Sequence, residues 1–323
     1  MTNLTIPDTE LRNILHIDKE TRSGQYMCTC PLCGKPKHFY INKRTQVWDC
    51  KKCFAVGNIY KLLKLLGKLY LLGDKTVELT PQIKSIRESQ DEEQNTDVLT
   101  TLQNLPVRKM PVGFKVCKNN AYLLSRGIGG DVCKRYGIGE TNLVSKLKNY
   151  ILIPIMDNGE VRGYLGRYGN KKVPENKLRY NNSLGTDFAS LLYGYDDIVK
   201  GETETVIIVE GVFDMISVSR KLNLDSEPDI KCVCTFGKKI SDNQIKKLLE
   251  KEVANIILCY DYDALKEIKS YGMELNMYFN TFAAVAMNKK DIDECTKEEA
   301  IEIIGSAVPI REFCTSVIGK LKR

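Results

Sequence analysis

Between residues 204 and 263 the chain alternates short apolar runs with helical patterning. TETVIIVEG, KCVCTFG and VANIILCYD read as strands, and FDMISVSRKL and SDNQIKKLLEKE read as helices. Near-continuous apolar runs between helices belong to strands buried on both faces, so a mainly parallel α/β sheet is expected here. Upstream, NYILIPIMDNGEVRGYLGRYG (149–169) predicts a β-hairpin about an Asp-Asn-Gly turn. YLLSRGIGGDVCKRYGIG (122–139) predicts a helix, a turn and a second short helix. In NIYKLLKLLGKLYLL (58–72), Ile59, Leu62, Leu63 and Leu66 share a helical face, with Lys61, Lys64 and Lys68 on another stripe and Asn58 as N-cap. This helix is expected to pack on the module before it; lying on a membrane surface is the alternative.

Residues 73–106 break the pattern. They are polar, carry the acidic run Asp91–Glu93 and read as a tether with room for one short helix. The expected organisation is a small cysteine-rich unit over 1–72, a linker over 73–106, a basic subdomain over 107–203 and an α/β subdomain over 204–323. No internal repeat interrupts it.

A hydrophobic fraction of 43% and a charged fraction of 28% over 323 residues are those of a soluble globular protein. The N-terminus has no signal-peptide pattern, and no apolar run approaches a membrane span, so a cytoplasmic protein is expected. Its twelve cysteines then sit in a reducing compartment, where close pairs favour metal over disulfide. The net charge of +7 is unevenly spread: residues 1–72 hold 12 Lys/Arg against 5 Asp/Glu, residues 107–180 hold 15 against 5, and the rest 21 against 31. Two basic blocks beside an acidic remainder suit a polyanion-binding protein with a cation-dependent site, although solvated surface charge would give the same counts.

Cys30-x-x-Cys33 and Cys50-x-x-Cys53 are two knuckles at ribbon spacing, a pattern that suits one tetrahedral Zn²⁺. Four protein ligands leave no open position for water, so the ion is expected to be structural. Cys28 and His38 are possible substitutes. Lys35, Lys37, His38, Tyr40, Lys43, Arg44 and Trp48 mix cations with rings, which suits stacking on single-stranded bases; alternatively Trp48 is the core of the ribbon.

Glu210 closes strand VIIV, and Gly211 is expected to permit a sharp turn into the helix bearing Asp214. Asp261 and Asp263 close NIILCY, and Asp291 and Asp293 follow the apolar run FAAVAM. Ligands of open α/β sheets bind outside the carboxyl ends of the strands, so these acids are expected to converge into an oxygen-rich site for Mg²⁺ or Mn²⁺.

EGxxD, DxD and KDxDE resemble the toprim fold of DnaG-type primases, topoisomerases and recombination mediators. CPLC…DCKKCFAVGNIYKLL is similar to the primase zinc ribbon, LLSRGIGGDVCKRYGIG to the opening of the primase core, and GRYG with RYNNSLGTDFASLLYGY to a primase motif. The likeness runs from about residue 28 to 300, in the family's order. It implies that Cys30, Cys33, Cys50 and Cys53 hold zinc and that Glu210, Asp261 and Asp263 are the catalytic metal ligands. Asp214, Asp291 and Asp293 would support them. Arg167, Lys177, Arg179 and Asn182 would hold nucleotide or template, and Lys35, Lys37, His38 and Trp48 of the ribbon would contact template. Cys33 stands where the family usually has His, Ala189 and Ser190 stand where a lysine is usual, and Asp263 is followed by Ala-Leu rather than Ala-Gly. The implied function is synthesis of RNA primers on single-stranded DNA from ribonucleoside triphosphates. The partners would be the template, the RNA–DNA hybrid and a separately encoded helicase, as for compact phage-type primases. The alternative is a non-polymerising, single-strand-binding toprim protein that serves recombination or recruits a helicase.

Overall fold

The computed structural model describes residues 5–21, 23–72, 105–286 and 291–321. Most of the expected tether, with Asp91–Glu93, lies outside the described residues. No helix among the described residues is long and apolar enough to cross a membrane.

Three sheets follow one another. The first is an antiparallel ribbon, β1 (Ile17–Glu20), β2 (Gln25–Cys28), β3 (Phe39–Asn42), β4 (Trp48–Cys50) and β5 (Val56–Gly57), in sequential order. The second is the four-stranded β6 (Lys115–Val116), β7 (Gly139–Glu140), β8 (Tyr150–Asp157) and β9 (Glu160–Tyr168). Its long hairpin turns at Asn158 and Gly159, with φ of 55° and 76°, as the Asp-Asn-Gly signal predicts. Helices Ala121–Leu124 and Gly130–Tyr136 fill the stretch read as helix, turn, helix.

The third sheet runs β11 (Ile230–Cys234), β10 (Thr205–Val209), β12 (Asn255–Leu258), β13 (Asn280–Ala283) and β14 (Val308–Pro309). The first four are parallel and β14 is antiparallel at the edge, so the sheet is mixed but mainly parallel. The unbroken apolar run of β10 reflects two cores. Val206 and Ile208 join the cluster with Ile245, Leu248 and Ile268, while Ile207 and Val209 join the one with Met215 and Ile216. Helices therefore cover both faces, and polar chemistry is left to the strand ends.

Ile59–Leu65 forms the expected helix, capped where the side chain of Asn58 accepts from Lys61 N at 3.0 Å. Its neighbours are a finding. Ile59, Leu62 and Leu63 belong to the same core as Leu249, Leu275 and Phe279 of the third sheet and its helices. The lysine stripe is not a solvated face. Lys61, 7% exposed, donates to Asn276 O and Phe279 O at 2.9 Å each, and Lys64 donates to Val253 O at 2.8 Å and to Glu252 O. These carbonyls precede β12 and β13, so the ribbon docks on the amino end of the sheet.

Burial pulls the Lys61 ammonium down to about 8, yet its two carbonyl partners keep it useful as a donor. Lys61→Ala is expected to cost about 1–3 kcal/mol, because both carbonyls lose their buried donor. Chemical denaturation checks the cost, with zinc content unchanged.

Candidate functional site

β10 and β12 run parallel in register, with Val206 opposite Ile256 and Ile208 opposite Leu258, so the residues that follow them emerge side by side. Glu210 and Asp261 are those residues. Glu210 Oε1 accepts from Asp261 N at 3.1 Å, which ties the two strand ends together. Asp263 follows in a short 3-10 turn (Tyr262–Ala264), and ligand oxygens of Glu210, Asp261 and Asp263 all lie within 4.8 Å of one another.

Such proximity is costly without a cation. Burial, then the Asp261 charge, pushes the Glu210 carboxyl up to about 7, against the hydrogen bond from Asp261 N. Burial, then Asp291 and Asp263, pushes Asp261 up to about 6. A hard divalent ion would relieve this repulsion, so the donor set fits metal binding.

The six acids do not form one cluster. Asp214 turns back to its own helix, where its Oδ2 accepts from Gly211 N at 3.0 Å. Burial, then Asp293 and Asp261, pushes it up to about 8. The chain bends at Glu210 and Gly211 straight into the helix, as expected, but Gly211 has extended backbone there (φ −115°, ψ 153°), so the turn itself does not require a glycine. A Cβ there would stand 2.5 Å from Asp214 Oδ2, and glycine is needed for that approach. Asp291 opens a turn that contains Asp293, closed by Glu294 N donating to Asp291 O at 3.0 Å, and both acids group with Glu294.

A cleft of about 580 Å³ opens between this strand end and the second sheet, lined by Glu210, Asp214, Asp261, Phe236, Phe188, Tyr180 and Asn182, among others. Asn182 is held by its Oδ1 accepting from Gly166 N at 3.2 Å. Arg167, 8% exposed, stacks on Tyr180 at 4.7 Å and donates Nε to Tyr122 Oη at 3.2 Å. Arg179 is exposed, with no ion pair to it among the described residues; Lys177 is half-buried and does not line the cleft.

Two cations that the sequence pattern did not single out reach the acids. Arg126 pairs with Asp293 at 2.5 Å and stacks over Tyr122 and Phe213, at 5.4 and 4.9 Å. Lys238 pairs with Asp263 at 2.6 Å. The one signal for Lys238 was its place just beyond the apolar run KCVCTFG.

In the ribbon, Cys30, Cys33, Cys50 and Cys53 bring their sulfurs within 4.8 Å of one another. Cys30 and Cys53 Sγ are 3.9 Å apart and Cys33 and Cys50 Sγ 3.8 Å. A tetrahedron with metal–sulfur bonds of ~2.3 Å has edges of ~3.8 Å, so the thiols fit a four-coordinate ion. Lys52 N and Cys53 N donate to Cys50 Sγ at 3.4 and 3.5 Å, which orients it. Cys28 is buried outside the cluster, and His38 Nδ1 lies against Pro36 O at 2.7 Å, so neither replaces a ligand. Trp48 requires a correction: at 1% exposure it stacks on Phe39, with ring centroids 5.1 Å apart, and donates Nε1 to Asn58 O at 2.7 Å. It is the ribbon core, not a base platform. Lys35, Lys37 and His38 are exposed.

Residues 207–295 match the Toprim-like family. A DNA primase of Legionella pneumophila is 24% identical over 358 aligned residues, which cover 94% of this chain and 60% of that protein. The chain therefore spans less than two thirds of this relative's length. Among solved structures, the E. coli primase catalytic core aligns with a TM-score of 0.48 at 19% identity, covering 61% of this chain and 75% of that one. The primase fragment of the bacteriophage T7 primase-helicase protein aligns with a TM-score of 0.45 at 15% identity, covering 85% and 97%. The resemblance to DnaG-type primases read from the motifs agrees with the Toprim-like match and with the Legionella pneumophila relative.

Proposed function

We propose that the chain is a DNA primase that joins ribonucleotides on single-stranded DNA by metal-dependent nucleotidyl transfer. The carrying observation is that Glu210, Asp261 and Asp263 stand at adjacent parallel strand ends and that Glu210 and Asp261 share one cleft with Tyr180 and Asn182, beside Arg167. A non-polymerising role has no observation in its favour, since the acids are intact and the named relative is a primase.

The reaction requires a 3′-hydroxyl to attack an α-phosphate as pyrophosphate leaves, with negative charge accumulating on the phosphoryl oxygens. Mg²⁺ or Mn²⁺ held by Glu210, Asp261 and Asp263 would acidify that hydroxyl and neutralise the phosphates. Glu210 would serve either as a ligand of that ion or, beside it, as the base that takes the hydroxyl proton. Phe188, Phe236 and Tyr180 offer apolar faces for a base. Arg167, fixed by Tyr122 and Tyr180, supplies a directed cation for phosphate. Arg179 and Lys177 would extend the basic path along the template, and the four ribbon thiolates would hold Zn²⁺. Exposed Lys35, Lys37 and His38 would contact single-stranded template, and the growing RNA–DNA hybrid and a separate helicase complete the partner set.

The deciding assay supplies single-stranded DNA, labelled ribonucleoside triphosphates and Mg²⁺ or Mn²⁺. Short RNA products are expected; template binding without any product would overturn the reading. Within that assay, Arg167→Lys keeps a charge but loses the stacked fork, and is expected to raise the apparent nucleotide KM about tenfold, equivalent to ~1.4 kcal/mol. Arg179→Ala should flatten the slope of log K for template against log salt by ~0.7, one phosphate contact on a single strand.

A further inference from the structure

Both acidic groups carry a cation supplied by the chain itself, and the two cations are held differently. Arg126 is clamped: besides Asp293 it has two ring faces and Tyr122 Oη at 3.1 Å from its Nε. Among the described residues Lys238 has one partner oxygen, Asp263 Oδ1, and both side chains of this pair are open to solvent, at 36% and 74% exposure. An open ion pair of this kind is weak, and the lysine stem is flexible. Lys238 follows Gly237, which lines the cleft. Its backbone is thus already at the rim of the space that would hold a nucleotide.

Resting on the reading of this cleft as a nucleotide site, we propose that Lys238 is a displaceable internal cation. It holds the Asp263 carboxylate while no divalent ion is bound, and turns to the triphosphate once one is. The argument is competition for one oxygen set. An ion shared by Glu210, Asp261 and Asp263 would stand within a few ångströms of the Lys238 ammonium and repel it. The acid that held the ammonium is then neutralised, and the nearest uncompensated negative charge is a triphosphate in the cleft. Lys238 would so keep the acid cluster compact before substrate arrives and add a positive charge to the substrate afterwards. Arg126, locked in place, cannot make the same exchange.

The test uses the full zinc-loaded chain and reads binding rather than turnover. Mn²⁺ affinity is measured by electron paramagnetic resonance without nucleotide or template, and binding of a fluorescent ribonucleoside triphosphate is measured at saturating Mn²⁺. Lys238→Met is expected to tighten Mn²⁺ about three- to tenfold, by removing the competing cation, and to weaken the triphosphate by a similar factor. Lys238→Arg should restore triphosphate binding. In Lys238→Met/Asp263→Asn the Mn²⁺ gain should vanish relative to Asp263→Asn alone, because no carboxylate remains to be freed. Unchanged or weaker Mn²⁺ binding in Lys238→Met overturns the proposal, as does unchanged triphosphate affinity or a gain that persists in the Asp263→Asn background. If wild-type protein makes no primers while both binding effects appear, it is the primase reading that fails and the role of Lys238 that stands.

Discussion

Asp261→Asn is expected to lower nucleotide incorporation at least a thousandfold while raising the melting temperature of the metal-free protein at pH 8. The loss follows from removing a charged ligand at the point where two strand ends meet, and a thousandfold is ~4 kcal/mol of transition-state stabilisation. The gain in stability has the opposite origin. Folding lifts Asp261 to about 6 and Glu210 to about 7, chiefly through burial and then through neighbouring acids. Where a folded carboxyl binds its proton more tightly than the unfolded one, stability falls as pH rises from the ordinary carboxylate range through the raised value, and stays lower above it. Metal-free wild type should therefore be less stable at pH 8 than near pH 5, and Asn, which has no charge to bury, should recover part of the difference. After discounting for solvent screening the recovery is about 1–2 kcal/mol, or ~2–4 °C for a chain of this size. It should be absent near pH 4, and Mg²⁺ should stabilise wild type at pH 8 but not the mutant. Scanning calorimetry over this pH range, with and without Mg²⁺, decides it. Equal activity in Asp261→Asn, or a lower metal-free melting temperature at pH 8, would remove Asp261 from the metal site.

What could be read from the sequence was whatever local spacing or burial dictates. VIIV had to be a strand covered on both faces, and the carboxylate after it had to lie at a strand end; β10, split between two cores, and Glu210 beside Asp261 follow that logic. Paired CxxC spacing likewise needs no tertiary information. Other features depended on contacts between distant residues. Trp48 sits among cations in the sequence, but β4 alternates buried, half-buried, buried, and Trp48 takes an inward position over Phe39. The acids at 214, 291 and 293 have the right type but different geometry, since Asp214 caps its own helix and Asp293 faces Arg126, 167 positions away in the chain. Lys61 and Lys64 occupy a polar stripe by periodicity, yet their ammonium groups satisfy carbonyls about 190 to 220 positions away, which no helical pattern can announce. Lys238 and Arg126 were missed for the same reason.

Cys50→Ser is expected to abolish zinc binding and to separate two activities. Zinc binding contributes roughly 10–16 kcal/mol in comparable small sites, and the ribbon over residues 5–57 has only a small core, built on Ile6, Leu11, Leu15, Tyr26, Phe39, Ile41 and Trp48, to replace it. The loss can be followed directly, because Trp48 is the sole tryptophan and is 1% exposed. Its emission should shift to the red when the mutant is compared with wild type, and when wild type is stripped with a chelator. The effect should not stop at the ribbon, since Ile59, Leu62 and Leu63 share a core with Leu275 and Phe279. Part of the third sheet's amino-end surface would be uncovered, and hydrogen exchange should rise at residues 276–282. The carboxyl end of the sheet carries the acids and makes no contact with the ribbon through these residues. Mn²⁺ binding there should stay within about twofold of wild type, as expected for sites that share no partners. De novo initiation should consequently fall much further than extension of a preformed primer if, as proposed, the ribbon's exposed Lys35, Lys37 and His38 hold template while Glu210, Asp261 and Asp263 serve the chemistry. A folded, zinc-free mutant with unshifted Trp48 emission would refute the structural role of the metal. An equal loss of initiation and extension would place the ribbon within the catalytic unit rather than ahead of it.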